Sequence, residues 1–271
     1  MKNKAQNKAA LVIENQHLKG NYWLLTLAEK NLVDLMQPGQ FVNIRLSGLN
    51  DPLLRRPMSI HAVDTETGRF KVLYQVVGRG TEALTTIKTG ESLQILAPLG
   101  SGFPLPDEPA ANGQQIALVA GGIGIAPLYA LAEDLLQKGY CLTVYYGSRS
   151  RADLLVLEEL QQLGVKLELA TEDGSCGKQG YVTAQLRENL QRQQTKAVYA
   201  CGPMPMLKAL KKETQSLAIP VWLSLEAHMA CGLGACLGCT VRLKTADGGW
   251  RYALICQEGP VIAAEEVDFD E

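Results

Sequence analysis

Four cysteines near the C-terminal end of this 271-residue chain, Cys231, Cys236, Cys239 and Cys256, fall in the order C-x4-C-x2-C-x16-C. Thiolates bind iron–sulfur clusters and zinc alike, and the first three positions have the spacing of a loop that wraps a plant-type [2Fe–2S] cluster. Gly232, Gly234 and Gly238 stand between them, where a backbone curling around inorganic sulfide needs positive φ and no β-carbon. Amides in such a loop point at the sulfurs and tune the cluster potential. Structural zinc also takes four cysteines, but its sites usually pair two C-x2-C knuckles, and this segment has one. The total of seven cysteines is odd and no secretory signal precedes them, which argues against a disulfide set. His228 lies just before the loop and is read as a surface residue or an outer neighbour of the site. A Rieske arrangement needs two histidines in place of two cysteines, and only His17 and His61 remain elsewhere.

The distant fourth cysteine has a geometric explanation. The intervening stretch TVRLKTADGGWRYALI reads as two strands around Asp247-Gly248, a hairpin signal. A two-residue turn there puts Cys239 directly opposite Cys256 at the open end of the ladder, roughly 4.5–5.5 Å away.

Two further groups of residues have the makings of nucleotide sites. After the apolar run IALVAG the chain turns through GGIGIAPL; Gly122 and Gly124 would let a pyrophosphate approach the backbone, and Pro127 suits the first turn of a helix. The pattern is G-x-G-x-x-P, so the dinucleotide fingerprint proper is not met. A second turn, Cys201-Gly202-Pro203, would end at the same sheet edge, with Cys201 also readable as a buried, inert thiol. No acidic residue closes the CLTVYYG strand, where Gly147-Ser148-Arg149 stands, so the residues leave NAD and NADP open. Nearer the N-terminus, Arg55-Arg56-Pro57-Met58-Ser59 breaks an apolar pattern with two guanidinium groups, either of which suits a phosphate. The loop GRGTEAL reads as entering a helix with Thr81 as its N-cap and amides free to face a pyrophosphate. Taken singly, these are equally a surface arginine pair, a capped helix and a structural glycine turn. Their order along one chain joins them.

The elements that must hold these residues fall into three segments. From about residue 9 to 98, six strand-like runs (ALVIENQ, YWLLTLA, QFVNIRLSG, PMSIHAV, RFKVLYQVV and ESLQILAPLG) at roughly ten-residue spacing predict an antiparallel β-barrel or sandwich, and six strands suit a small closed barrel. SGFPLPDEPAANG, 101–113, reads as a linker. The middle segment alternates strands (IALVAG, CLTVYYG, KLELATE, AVYACG, VWLSLE) with helices expected over 127–138, 151–163, 182–193 and 205–217. That is the pattern of a doubly wound parallel sheet with ligands at the carboxyl ends of its strands. The cysteine loop and its hairpin come last. The expected domains are 1–100, 101–220 and 221–271.

Composition sets outer bounds. Hydrophobic residues at 46% and charged residues at 20% fit an ordinary globular protein. A net charge of −2 gives no argument for nucleic acid or an anionic membrane. The apolar run 9–13 is too short for a signal-peptide core, and the uncharged stretch 116–132 contains glycines and Pro127, so a strand–turn–helix explains it better than a membrane span. A cytoplasmic protein is expected, where free and metal-bound thiolates persist. Of the remaining cysteines, Cys176 in a glycine-rich loop is expected to be the one open to oxidation.

Over nearly its whole length the chain resembles the ferredoxin-reductase flavoprotein superfamily, and within it the electron-transfer subunits of bacterial dihydroorotate dehydrogenase B. The resemblance rests on RPMSI (56–60), VLYQVVGRGT (72–81), GGIGIAPL (121–128), TEDGSCGKQGYVT (171–183), CGPMPML (201–207), EAHMACGLGACLGC (226–239) and CQEGPV (256–261). It implies FAD held by Arg56, Pro57, Met58 and Ser59, bordered by Leu73, Tyr74 and Gln75, with its pyrophosphate at Gly80 and Thr81. Many relatives stack an aromatic residue on the flavin where Met58 stands, so Tyr74 would take that role. The resemblance further implies NAD at Gly122, Gly124, Cys201, Gly202 and Pro203, and a [2Fe–2S] cluster on Cys231, Cys236, Cys239 and Cys256. It implies a separate catalytic subunit that oxidises dihydroorotate at FMN, in a heterotetramer of two of each chain. Electrons would reach NAD+ through the cluster and FAD, in pyrimidine biosynthesis, with no acid or base on this chain. An NAD(P)H reductase for an oxygenase, hydrogenase or sulfur-reducing partner is the alternative on the same residues. Met229, Leu233 and Leu237 form an apolar rim suited to a partner, or to packing on the barrel.

Overall fold

The computed structural model describes residues 5–46, 53–106, 114–190, 192 and 195–269, apart from the side chains of 185 and 188. It divides into two compact units, one of Met1–Gly102, Glu226–Val241 and Ala253–Pro260, the other of Phe103–Leu225, Arg242–Tyr252 and Val261–Glu271.

The first unit is built on β1 (Gln6–Lys19), β2 (Tyr22–Ala28), β3 (Phe41–Arg45), β4 (Arg56–Ser59), β5 (Ala62–Asp64), β6 (Arg69–Gln75) and β7 (Ser92–Leu99), in the order β4-β3-β7-β1-β2-β6-β5. Six strands were expected over this stretch, and PMSIHAV accounts for the seventh. It breaks between Ser59 and Ala62, and its halves form the two edges of the sheet. The Ile60 amide donates to Gln40 O on one side and the His61 amide to Lys71 O on the other. Adjacent residues thus bond to strands far apart in the sheet, so the sheet must curl on itself, in the manner of a barrel that hides its edges. Val12, Leu25, Leu27, Val42, Ile44, Phe70, Val72 and Ile95 fill the interior. Two helices accompany it, α1 (Lys30–Val33) and α2 (Arg79–Thr85).

The second unit carries β8 (Gln115–Gly121), α3 (Ile125–Gln137), β9 (Cys141–Ser148), α4 (Leu157–Gln162), β10 (Lys166–Thr171), β11 (Lys178–Gln179), α5 (Val182–Leu190), β12 (Thr195–Cys201), α6 (Met204–Thr214) and β13 (Val221–Ser224). Strand order β11-β10-β9-β8-β12-β13-β16 places the first middle strand at the centre, with β16 (Val261–Ala263) antiparallel at one edge. β8 is buried from Ile116 to Gly121, as a parallel strand covered on both faces must be. The single helix expected over 151–163 is instead a short 3-10 turn, Arg151–Asp153, and α4. Val156, at φ 49, interrupts them. The remaining strands β14 (Thr240–Lys244) and β15 (Trp250–Leu254) form a two-stranded hairpin.

Candidate functional site

The hairpin turn differs from the expectation by one residue. The Gly248 amide donates to Thr245 O at 3.0 Å and the Thr245 amide to Gly249 O at 2.9 Å. The loop is therefore three residues, Ala246-Asp247-Gly248, with Gly248 at φ 83, the type I turn plus left-handed residue that three-residue hairpins favour. The register moves with it, and the Ile255 amide, not that of Cys256, bonds to Cys239 O at 2.9 Å. Cys256 falls just past the ladder, with its own amide 3.5 Å from Cys239 Sγ. The two sulfurs still come together, by a turn at the strand end instead of by cross-strand pairing.

Within the loop, Gly232 and Gly234 have φ of 70° and 81°, as the spacing predicted. Gly238 does not; the left-handed position falls one residue earlier, on Leu237 at φ 58. A β-carbon at Gly238 would meet only Cys236 Sγ at an ordinary 3.6 Å. Amides converge on the sulfurs: Leu233 N and Cys236 N lie 3.3 and 3.4 Å from Cys231 Sγ. Burial pushes the Cys231 thiol up, but the amides of Leu233, Cys236 and Ala235 and the Cys236 thiol outweigh it, leaving a pKa of about 6. Cys256 goes the other way, to about 12, through burial and the neighbouring Cys239. Loop amides therefore already favour a thiolate at Cys231, whereas Cys256 needs a bound cation to lose its proton.

Among the described residues no group of three or more His, Cys, Asp or Glu side chains converges as one metal ion would require. The nearest sulfur partners are Cys231 with Cys236 and Cys239 with Cys256, with Cys231 also within electrostatic reach of Cys256. A mononuclear zinc site draws four donors into one tetrahedron, whereas a diiron cluster takes two on each iron. The donor set fits the cluster.

In the barrel, Arg55 and Arg56 have different tasks. Arg55 is structural: its Nη1 donates to Asn43 O and Gln94 O, each at 3.2 Å, and burial followed by Arg45 lowers its pKa. Arg56 reaches the other motif. It is held by Leu54 O at 2.6 Å, and its guanidinium lies so close over Gly80 that a β-carbon there would overlap it. Thus RPMS and GRGT, far apart in sequence, meet through one cation. The helix after GRGT begins at Arg79 with Gly78 as N-cap, not Thr81. Thr81 lies at the third helical position, where its Oγ1 accepts from the amides of Val77 and Gly78 at 2.9 and 3.2 Å. Those two amides are consequently occupied.

Pro57, Met58 and Ser59 are half-buried on β4, paired with Asn43, Val42 and Phe41 of β3. Tyr74 does not offer its ring for stacking. It is 1% exposed within the barrel core, lies 6.4 Å from Trp23 at an interplanar 23°, and donates its hydroxyl to Asn15. Strand alternation turns Leu73 and Gln75 to the opposite face.

In the second unit the two nucleotide turns meet. A β-carbon at Gly124 would overlap Cys201 O, and Gly202 lies against the Gly121 amide. Gly124 is thus glycine for packing, whereas Gly122, at φ 53 with nothing within 4 Å of its β-position, leaves open space. Cys201 is buried and Pro203 exposed. Arg149 is paired with Asp153 at 3.5 Å. Cys141, rather than Cys176, is the exposed thiol outside the loop.

Comparison with known proteins agrees with this geometry. A profile for the oxidoreductase NAD-binding domain matches residues 118–212. One for the iron–sulfur cluster binding domain of dihydroorotate dehydrogenase B matches residues 226–268, taking in all four loop and hairpin cysteines. The dihydroorotate dehydrogenase B (NAD(+)) electron transfer subunit of Bacillus caldolyticus is 39% identical over 243 residues, 90% of this chain and 91% of its own. That of Geobacillus thermodenitrificans is 38% identical over 256 residues, 94% and 96% of the two. The chain belongs to this family. A solved structure of an NADH-dependent reduced ferredoxin-NADP oxidoreductase, described for flavin-based electron bifurcation, superposes with a TM-score of 0.83 at 28% identity. It covers 100% of this chain and 92% of that one. As a member of the electron transfer subunit family, the protein is an oxidoreductase component whose cofactors are FAD, a [2Fe–2S] cluster and NAD. Among the described residues no helix is long and apolar enough to cross a membrane.

Proposed function

We propose that this chain is the electron transfer subunit of a dihydroorotate dehydrogenase B complex in pyrimidine biosynthesis. It would carry electrons from dihydroorotate, oxidised at the FMN of a catalytic subunit, to NAD+. A bound flavin supplies the one chemistry such a carrier needs, since it exchanges single electrons with an iron–sulfur cluster and a hydride with a nicotinamide. The observation that carries the reading is the pairing of four thiols, three on one loop and the fourth just past its hairpin, in the same unit as the RPMS and GRGT motifs.

Cys231, Cys236, Cys239 and Cys256 hold the cluster, and Leu233, Ala235 and Cys236 amides steady the thiolate of the first. Arg56 neutralises the FAD phosphates over Gly80, and Thr81 fixes the loop there by occupying two of its amides. Pro57, Met58 and Ser59 line the flavin, with Leu73 and Gln75, and Tyr74 supports that wall from the core side. Gly122 leaves room for the dinucleotide, and Gly124 and Cys201–Pro203 shape the turn beside it. No side chain is assigned proton transfer. The functional domains are 1–100 for flavin, 101–220 for nucleotide and 221–271 for the cluster. The assembly is a cytoplasmic heterotetramer of two subunits of each kind, with Leu233 and Leu237, 50% and 64% exposed, facing the catalytic subunit.

The likeness to the NADH-dependent reduced ferredoxin-NADP oxidoreductase favours a reductase for another partner as the second reading. One experiment separates them. Co-expressed with its catalytic subunit, the chain should support dihydroorotate-dependent NADH formation. Cys256→Ser should abolish that reaction while leaving NADH oxidation by an artificial two-electron dye in place. Failure of the complex to form, with reduction of a ferredoxin or oxygenase instead, would favour the second reading.

A further inference from the structure

Asn43, at the centre of β3, is fully buried. Its neighbours Val42 and Ile44 point into the barrel core, so Asn43 faces the other way. There it meets the cysteine loop. A β-carbon at Gly232 would lie 2.8 Å from Asn43 Nδ2 and 3.3 Å from Leu99 Cδ1, so the carboxamide rests against the backbone one residue after Cys231. On its own strand pair Asn43 stands opposite Pro57 of the RPMS motif.

The main chain of Asn43 is satisfied, since its carbonyl accepts Arg55 Nη1. Its side chain is not: neither Nδ2 nor Oδ1 has a hydrogen-bond partner, although both are buried. A primary amide has two donors and a carbonyl oxygen to satisfy. Burying it unpaired costs the hydration of every one of those sites, which a leucine of similar size would not incur. Such a side chain calls for a partner that the polypeptide does not supply, and the element it faces is the one that carries three of the four thiols.

We infer that Asn43 donates an Nδ2–H hydrogen bond to a sulfur of the bound [2Fe–2S] cluster. It is a positioning residue that ties the cluster loop to the strand pair carrying the flavin motif. The inference rests on the cluster reading above. A donor at a cluster sulfur favours the reduced, more negative state and so raises the reduction potential.

Two measurements on full-length, reconstituted protein test this. Wild-type protein labelled with 15N in its asparagine side chains is reduced with dithionite and studied by pulsed electron paramagnetic resonance, which needs no variant to fold. A 15N hyperfine coupling to the reduced cluster is expected, and it should vanish in Asn43→Leu. In a redox titration, Asn43→Leu should lower the cluster midpoint potential and leave that of the flavin in place. A normal cluster signal without 15N coupling, or an unshifted cluster potential in Asn43→Leu, overturns the inference. A reduced sample with no cluster signal at all would instead overturn the cluster reading beneath it.

Discussion

At the scale of single residues, the site includes one contact that an added methyl group would disturb. Gly80 lies under the Arg56 guanidinium, so Gly80→Ala should push the cation aside and weaken FAD retention by about tenfold or more, ~1.4 kcal/mol. Flavin release followed by fluorescence checks this, and unchanged retention would show that Arg56 does not hold the phosphate. The thiols give a second prediction. In cluster-free protein at pH 7.5, Cys231, with a pKa of about 6, is mostly thiolate, whereas Cys256, at about 12, is protonated. Brief alkylation read by peptide mass spectrometry should modify Cys231 and spare Cys256. The Cys231 rate should fall as pH drops through 6, because protonation removes the nucleophile; equal labelling of both would contradict the amide cradle. These residues were legible because cysteine spacing and glycine–arginine motifs state their chemistry locally. The Tyr74 ring was misjudged because facing direction depends on strand register, and the unpaired amide of Asn43 leaves no trace in sequence at all.

At the scale of elements, periodicity located the strand runs from β1 to β10, β12 and β13 and the helices near α3, α5 and α6, but not β11 or β16, which are too short to show a period. It missed what depends on partners distant in sequence. PMSIHAV looks like one strand, but barrel closure needs its first half on β3 and its second on β6. The hairpin slipped by one residue because Asp247-Gly248 suits a two-residue turn and a three-residue turn equally, and Gly248 takes the left-handed position of the longer one. The consequence is testable. Deleting Thr245 keeps the three-residue loop but pairs Lys244 with Gly249, which brings Cys239 opposite Leu254 and moves Cys256 relative to it. Reconstitution should then yield much less cluster absorbance than the wild type, with the flavin content unchanged. Full cluster loading would show that the turn does not set the fourth ligand.

At the scale of the molecule, Leu237 combines features that folding alone does not explain. It is 64% exposed and holds φ 58, a conformation that costs a bulky L-residue roughly 1 kcal/mol or more. Leu237→Gly should leave the thermal midpoint of the isolated subunit equal or a few degrees higher. The same change should weaken association with the catalytic subunit by about tenfold. Calorimetry and titration of the two purified subunits read both effects, and undiminished association would remove Leu237 from the interface. The first unit has one more property with a wider consequence. It opens with Met1–Gly102 and is completed only by Glu226–Val241 and Ala253–Pro260. On a translating ribosome, which delivers the chain from its N-terminus, the barrel emerges long before the thiols that belong with it. Iron and sulfide can therefore be installed only once Cys256 has emerged, and a nascent chain stalled before Cys231 would present the strands of its barrel with none of the thiols that hold the metal.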